Sequence, residues 1–286
     1  MHMGVRRFPT LRAQWLGREL RQLRIDCGAT LVEAGQYVQR DQGTISRMES
    51  GLAPARVGDV VALLNLYGVE DPVVRADLEL ISRDVWQRGW WDGYSKYAPA
   101  WMLDLAWMEG RARRIRSFDP LVLHGILQTE PYARALISAV NPDAEEPTRE
   151  HWIRLRLDRQ RILTTGSETR FEVIIDEAVL QRGVGGPETM RVQLAHLLDL
   201  TQRGAITMRL LDRSGGAHAA PEGSFALLDL PDPYPQVGHI DTVAGNLWVE
   251  GDMADSIADR YDRLEAAALP PIHSSQRLEE ILKEYS

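Results

Sequence analysis

Asp41-Gln42-Gly43-Thr44-Ile45-Ser46-Arg47-Met48-Glu49-Ser50-Gly51 is the stretch whose reading decides the fold. Asp41 suits a helix N-cap, because its carboxylate can accept a bond from a free backbone N–H of the first turn. Gly51 is placed to end the same helix in a left-handed conformation. Ile45 and Met48 lie three residues apart, on one face, so the helix can rest on a core. Gln42, Gly43, Thr44 and Arg47 then point away from that core. A short helix that offers Gln, Thr and Arg from its first turns suits the base edges of a DNA major groove.

The flanking residues complete a helical unit. Leu16, Leu20 and Leu23 recur at helical spacing in a helix over 11–27, stopped by Gly28. Thr30 and Glu33 form a capping-box pattern for a second helix through Val38. Asp59 starts a fourth helix, whose Val60, Leu63, Leu64 and Tyr67 close the core, and Asp71-Pro72 opens a fifth. The pattern places the end of a helix-turn-helix domain near residue 70. Within it, Thr30 to Gly51 is the helix-turn-helix proper.

Length and composition set bounds. With 286 residues, two domains are expected. Hydrophobic residues at 44% and charged residues at 26% fit a globular protein. No apolar run has the length of a membrane span, and the arginine-bearing first residues lack the apolar stretch of a secretory signal. Met1-His2-Met3 is given no role. A single cysteine, Cys27, excludes an internal disulfide and a cysteine-based zinc cluster. It reads as a packing residue at the end of its helix, and a reducing cytoplasm as the setting.

The charge is split. Residues 1–68 hold nine arginines and six acids, a net +3, while the whole chain carries −8, leaving −11 for the remainder. A basic small domain on an acidic large one points to nucleic acid for the first alone.

Five of the eight tryptophans lie between Trp86 and Trp107. Trp86, Trp90, Tyr94, Tyr97 and Trp101 keep helical spacing, but Gly89, Gly93 and Pro99 predict a break. Residues 71–108 thus read as an aromatic helical connector, its rings serving as core and interface rather than as a cofactor box. Beyond it, helices are expected over 130–140 and from about 148 to 164. Phe171–Ile175 reads as a strand and Pro187–Thr201 as a helix. Ile206–Leu211, Phe225–Leu230 and segments of Gln236–Val249 read as strands, and Met253–Leu269 as a helix. Residues 109–270 form an α+β domain, and 271–286 a tail with room for a final short helix.

The first domain resembles the phage-repressor (XRE) helix-turn-helix family, on Leu16, Leu20, Arg24, Thr30, Val38, Thr44–Glu49 and Gly51. The whole chain is similar to a larger actinobacterial group, the WhiJ-like regulators with a C-terminal domain of unknown function. That match is carried by Arg116–Pro120, Gly125–Ala133, Asp176–Leu180, Val184–Glu188 and Gly215–His218. The resemblance implies a mainly α chain: a phage-repressor-type helix-turn-helix bundle followed by a larger mixed helix/sheet domain. It implies transcription control in developmental or antibiotic programmes, and a small partner protein encoded nearby in an antitoxin-like arrangement. The family's base-reading positions fall on Gln42, Gly43 and Arg47. Arg24 and Glu49 match a structural ion pair. Three positions depart from the pattern: Gly43 replaces a longer side chain, Gly35 the usual alanine, and Gln39 the usual turn glycine. A left-handed Gln39 would be mildly strained.

Gln42 suits adenine, and Arg47 suits guanine or a phosphate. Thr30, Arg40, Thr44, Ser46 and Arg56 are expected to contact phosphates of double-stranded DNA, which positions the domain without reading sequence, although each could be simply exposed. The arginines at 111, 113, 114 and 116 and at 154, 156, 159 and 161 could form a second DNA surface. In so acidic a domain, solvated helix faces paired with acids such as Glu109 or Asp158 are the better reading. Enzyme signals are weak. No histidine pair has helical zinc-ligand spacing, Ser214 and His218 lack a nucleophile-elbow context, and Gly183–Gly186 lacks the lysine of a phosphate loop. His239 and Asp241 share a strand face, which reads first as a surface pair. No cofactor, metal or catalytic residue is therefore expected. The expected molecule is a dimeric DNA-binding regulator tuned by a small partner protein or a small-molecule signal. The alternative is an antitoxin-like protein that sequesters its partner and binds DNA mainly for autoregulation.

Overall fold

The computed structural model describes residues 9–164 and 168–285. The chain divides into two compact units, Met1–Leu105 and Ala106–Ser286. Arg6 and Arg7, counted in the basic charge above, lie outside the described residues.

The first unit is all helical. Helix α1 (Leu11–Asp26) starts where the Thr10 hydroxyl accepts the Ala13 N–H at 3.2 Å, and it ends at Gly28, φ +76°. Leu16 and Leu20 are fully buried on its inner face. Helix α2 (Leu31–Tyr37) begins with the reciprocal Thr30–Glu33 capping box, and α3 (Gln42–Glu49) with Asp41. Helix α4 (Val57–Leu66) buries Val60, Leu63 and Leu64. Helix α5 (Pro72–Trp86) starts at Asp71, with Pro72 in the first turn, where a missing N–H costs nothing.

Two expectations change here. The helical unit does not stop near residue 70. Helix α5 packs on α1 and α4, burying Leu78 and Ile81. Asp104, in α6 (Ala100–Glu109), accepts the Leu11 N–H at 2.8 Å and faces Arg12 at 3.5 Å. Four helices leave the core open on one side, so the 71–105 segment closes it rather than linking domains. Cys27 is exposed, its Sγ 3.3 Å from the Arg24 carbonyl, and so does not pack. The aromatic stripe breaks as predicted, into the end of α5, a short 3-10 turn (Trp90–Tyr94) and α6.

The second unit is a six-stranded mixed sheet with helices. The strands are β1 (Arg114–Asp119), β2 (Arg170–Asp176), β3 (Thr207–Leu211), β4 (Phe225–Asp229), β5 (Val237–Thr242) and β6 (Gly245–Val249), in spatial order β3-β2-β1-β4-β5-β6. β1, β2 and β3 are parallel, and β4 to β6 continue antiparallel. The parallel pairings need crossovers. Helices α7 (Glu130–Val140) and α8 (Glu146–Arg159) lie between β1 and β2, and α9 (Glu177–Leu180) and α10 (Pro187–Gln202) between β2 and β3. Helix α11 (Asp252–Ala267) packs on one sheet face, where Phe118, Ile174, Phe225, Leu227 and Tyr261 build the core.

Arginines 114 and 116 are not on a solvated helix. They lie on β1, the strand where the sheet changes from parallel to antiparallel pairing. Arg114 meets Glu172 at 2.6 Å, and buried Arg116 lies over the Tyr261 ring and 3.5 Å from Asp229. Arg159 is also buried, paired with Glu109, while Arg161 meets Asp158 at the surface. The expected tail is largely helix α12 (Pro271–Glu284), which packs on β3 and α10. The Ser274 hydroxyl accepts the Leu210 N–H at 2.9 Å, and the Leu269 N–H donates to the Leu210 carbonyl. These bonds cap the outer edge of β3, which would otherwise expose backbone groups.

Candidate nucleic-acid interface

The turn between α2 and α3 accounts for one of the three departures from the family pattern, Gly35, and shows the strain of another, Gln39. Gln39 takes φ +55°, the left-handed conformation that favours glycine. The Arg40 N–H then bonds the Gly35 carbonyl at 2.8 Å. A Cβ on residue 35 would stand 2.8 Å from the Arg40 carbonyl oxygen, so glycine lets the turn close.

Helix α3 is fixed at its C-terminal end. Ile45 and Met48 are buried beneath it. Arg24 of α1 grips Glu49 with two hydrogen bonds, 2.6 and 3.0 Å, and donates a third to the Ala29 carbonyl. Gly17 brings α1 against α3, and a Cβ there would lie 2.5 Å from the Glu49 carbonyl oxygen. Sequence reasoning missed this approach; a glycine inside an apolar helix was its one signal.

The N-terminal end of α3 is open. The Gln42 side chain is exposed. Arg47 donates to the Thr44 hydroxyl at 2.8 Å, which donates to Asp41 at 2.6 Å. The Asp41 carboxyl is held below its usual range, first by the Thr44 hydroxyl, then by the Thr44 N–H, with Arg47 adding attraction. These groups satisfy one another at the surface. Such exposed bonds are worth little and can be exchanged for a partner. At Gly43, an added Cβ would meet only the ends of Asp41 and Arg47 side chains, which leaves the backbone accessible.

The expected phosphate contacts fall into two groups. Ser46 is exposed on α3. The Thr30 hydroxyl is engaged with Glu33, Arg40 is 3.4 Å from Asp59, and Arg56 lies over the Trp86 ring at 5.6 Å. Trp86 also donates to the Ala55 carbonyl, as does Ser82, so α5 holds the loop that carries Arg56. This bracing role was not legible in the aromatic spacing.

The second unit holds a different polar group. His239 and Asp241 share a face of β5, and Asn246 of β6 donates to Asp241 and lies 3.2 Å from the His239 Nε2. His239 is buried rather than a surface residue, its ring 4.4 Å from that of Trp248. Burial holds it down to about 4. Asp119, at the end of β1, is raised by burial to about 8, with Asp241 adding to the rise and Ser117 opposing it. His124, in the loop after β1, is held well below its usual value by burial, then by Arg159, His239 and Arg156. His218 instead accepts the Ala220 N–H and packs against Phe118, and Ser214 bonds Asp212. Those two do not meet. Gly185 and Gly186, both at positive φ, form the turn into α10.

A cavity of about 620 Å3 opens on the sheet face that α11 covers. Phe225, Ile240, Val249 and Ile257 line it, and exposed Val243, Leu247 and Met253 rim it. Its size is that of a small-molecule site. Among the described residues, no group of His, Cys, Asp and Glu side chains is arranged to hold a metal ion. No helix among them is long and apolar enough to cross a membrane.

Comparison with known families agrees with the two-unit division. A model described as a helix-turn-helix domain matches residues 15–78, and one described as a domain of unknown function (DUF5753) matches residues 102–280. No curated protein and no solved structure matches the chain. The helix-turn-helix match, with α3 held at one end and open at the other, makes the first unit that of a DNA-binding regulator. The second match covers more than half of the sequence, and the chain belongs to the DUF5753 family, its domain of unknown function carried behind a helix-turn-helix domain.

Proposed function

We propose that the chain is a sequence-specific, non-catalytic transcription regulator that reads double-stranded DNA with α3. The observation that carries this reading is the division of α3: Ile45, Met48 and Glu49 hold it, while Gln42, the Gly43 backbone, Thr44 and Arg47 face outward. Gln42 and Arg47 would meet base edges. Ser46, Arg40, Arg56 and the Thr30 segment would lie along phosphates. The chain would act as a homodimer in the cytoplasm, with two α3 helices roughly 34 Å apart on a near-palindromic site. The second unit would tune that occupancy by binding a small signal molecule or a small partner protein. Its ligand-sized cavity supports the signal. The WhiJ-like resemblance supports developmental or antibiotic-related targets and a partner encoded nearby.

The test is selection of bound sites from random DNA, followed by titration of the selected site with wild-type protein and with the Gln42→Ala, Arg47→Ala double variant. Each lost base contact should cost about 1–3 kcal/mol, so selective binding disappears while weak, salt-sensitive binding remains. A double variant that still selects the same site would overturn the assignment of α3.

A further inference from the structure

The polar group at the carboxyl ends of β1 and β5 is more than a buried pair. β5 runs parallel to β1, because both are antiparallel to β4. Their carboxyl ends therefore lie at one end of the sheet. There Asp241 pairs with Asn246 and, one row below, His239 with Trp248. His239 continues the row of Ser117 and Ala226, which places Asp119 beside the next row. Crevices outside strand carboxyl ends, where strand direction or order changes, are where open sheets with helices bind ligands.

The loop after β1 and helix α8 complete this end with His124, Gly125, Arg156 and Arg159. The two arginines differ. Arg159 is matched by Glu109, with bonds of 2.5 and 2.7 Å. Arg156 makes a single hydrogen bond among the described residues, 2.6 Å to the neutral Gln128 side chain, and no ion pair. A guanidinium partly withdrawn from water, with no carboxylate in contact, is costly. Burial lowers it to about 10, with Arg159 adding repulsion and Asp241, then Tyr132, opposing the fall. Gly125 presents bare backbone to both guanidinium groups, with a built Cβ 3.5 Å from the Arg156 Nε. Two imidazoles stand near, and burial lowers both, with Asp241 opposing the fall at His239.

We propose that this end of the sheet is a binding site for a small anion, a phosphate monoester or carboxylate group, held by Arg156 and flanked by His124 and His239. Asp241 and Asn246, at the open side, would face hydrogen-bond donors on the rest of the ligand. The proposal concerns binding alone. As the place where a signal enters, it rests on the regulator reading; as an anion site it does not.

The test uses the full chain without DNA. Inorganic phosphate and acetate are titrated at constant ionic strength, following the histidine ring protons by NMR and the thermal midpoint. Expected is saturable binding of at least one anion, a rise in the midpoint that follows ligand concentration, and upward-shifted imidazole titrations. Arg156→Gln should weaken binding at least tenfold and Arg156→Lys should restore part of it. Arg154→Gln, an exposed arginine on the same helix, should leave binding unchanged. Phosphate preference over acetate assigns the monoester, and the reverse assigns the carboxylate. Two results would overturn the site: no saturable response to either anion in the wild-type chain, or an unchanged response in Arg156→Gln. The NMR readout applies even to a variant of lower stability. A later DNA titration with the anion present tests the regulator reading separately: saturation without any effect on DNA leaves the site standing and removes its role as a signal.

Discussion

Two polar regions of this molecule handle charge in opposite ways. At the start of α3, Asp41, Thr44 and Arg47 satisfy one another at the surface, where water competes for every bond. At the end of the second unit's sheet, Asp119 and His239 are buried and Arg159 is sealed against Glu109. Surface groups can be lent to a partner at small cost. Buried groups are committed to their neighbours, and their protonation is displaced by the loss of water. The first arrangement suits a face that exchanges its own bonds for those of a partner. The second suits a site that admits one kind of chemistry.

The largest expected effect breaks the second arrangement. Glu109→Ala leaves the Arg159 guanidinium buried without its carboxylate, and it should destabilise the second unit by about 3–5 kcal/mol. Urea unfolding followed by fluorescence would show it. Glu109→Gln, which keeps a hydrogen-bond acceptor, should lose less. An unchanged midpoint for Glu109→Ala would mean that the pair contributes nothing.

A smaller effect breaks the first unit instead. Gly17→Ala places a methyl group 2.5 Å from the Glu49 carbonyl oxygen and should cost about 1–3 kcal/mol through overpacking. DNA affinity should fall with it, although residue 17 faces α1's partner and not DNA. If stability and affinity are both unchanged, α1 and α3 are not held as closely as the structure places them.

The third prediction sharpens the contrast through pH. The Asp119 carboxyl rises from 3.8 in the unfolded chain to about 8 in the fold. A raised acid binds its proton more tightly when folded, so its effect on stability is absent below pH 4 and becomes increasingly unfavourable as pH rises toward 8. His239, lowered from 6.5 to about 4, acts in the other direction: stability is lost as pH falls from 6.5 to 4. From pH 6.5 to 8 the His239 contribution has gone, and the Asp119 contribution remains. There Asp119→Asn should remove a loss of stability that the wild-type chain shows. Equal slopes in the two proteins would exclude a buried neutral carboxyl.

Much of the first unit was legible because its signals are local. Thr30, Asp41, Asp71 and Gly28 mark helix ends within three residues of the groups they satisfy. Helix α5's role was hidden, since only the folded core shows that it needs a fifth helix. In the second unit, β2 to β6 followed their apolar runs. β1 did not, because Arg114 and Arg116 break the pattern, and the acids that neutralise them, Glu172 and Asp229, stand far along the chain. Helix α12 looked like a tail because its Leu278 and Ile281 are spaced among charges, and their cover comes from elements earlier in the sequence. Of the sites, α3 showed itself in a single run of residues. His239 and Asp241 were visible as neighbours, but Asp119, His124 and Arg156 join them only when the strands order.

The Gly17 contact makes α3 a beam clamped along one side, its start closed against α2 at Gly35 and its end against α1. Ile45, Met48 and Glu49 of that side are buried, while the outward side chains of Gln42 and Arg47 bear none of the load. Substitution on the outer side can therefore change what α3 offers a partner without loosening the clamp, so the exposed face and the scaffold can vary independently.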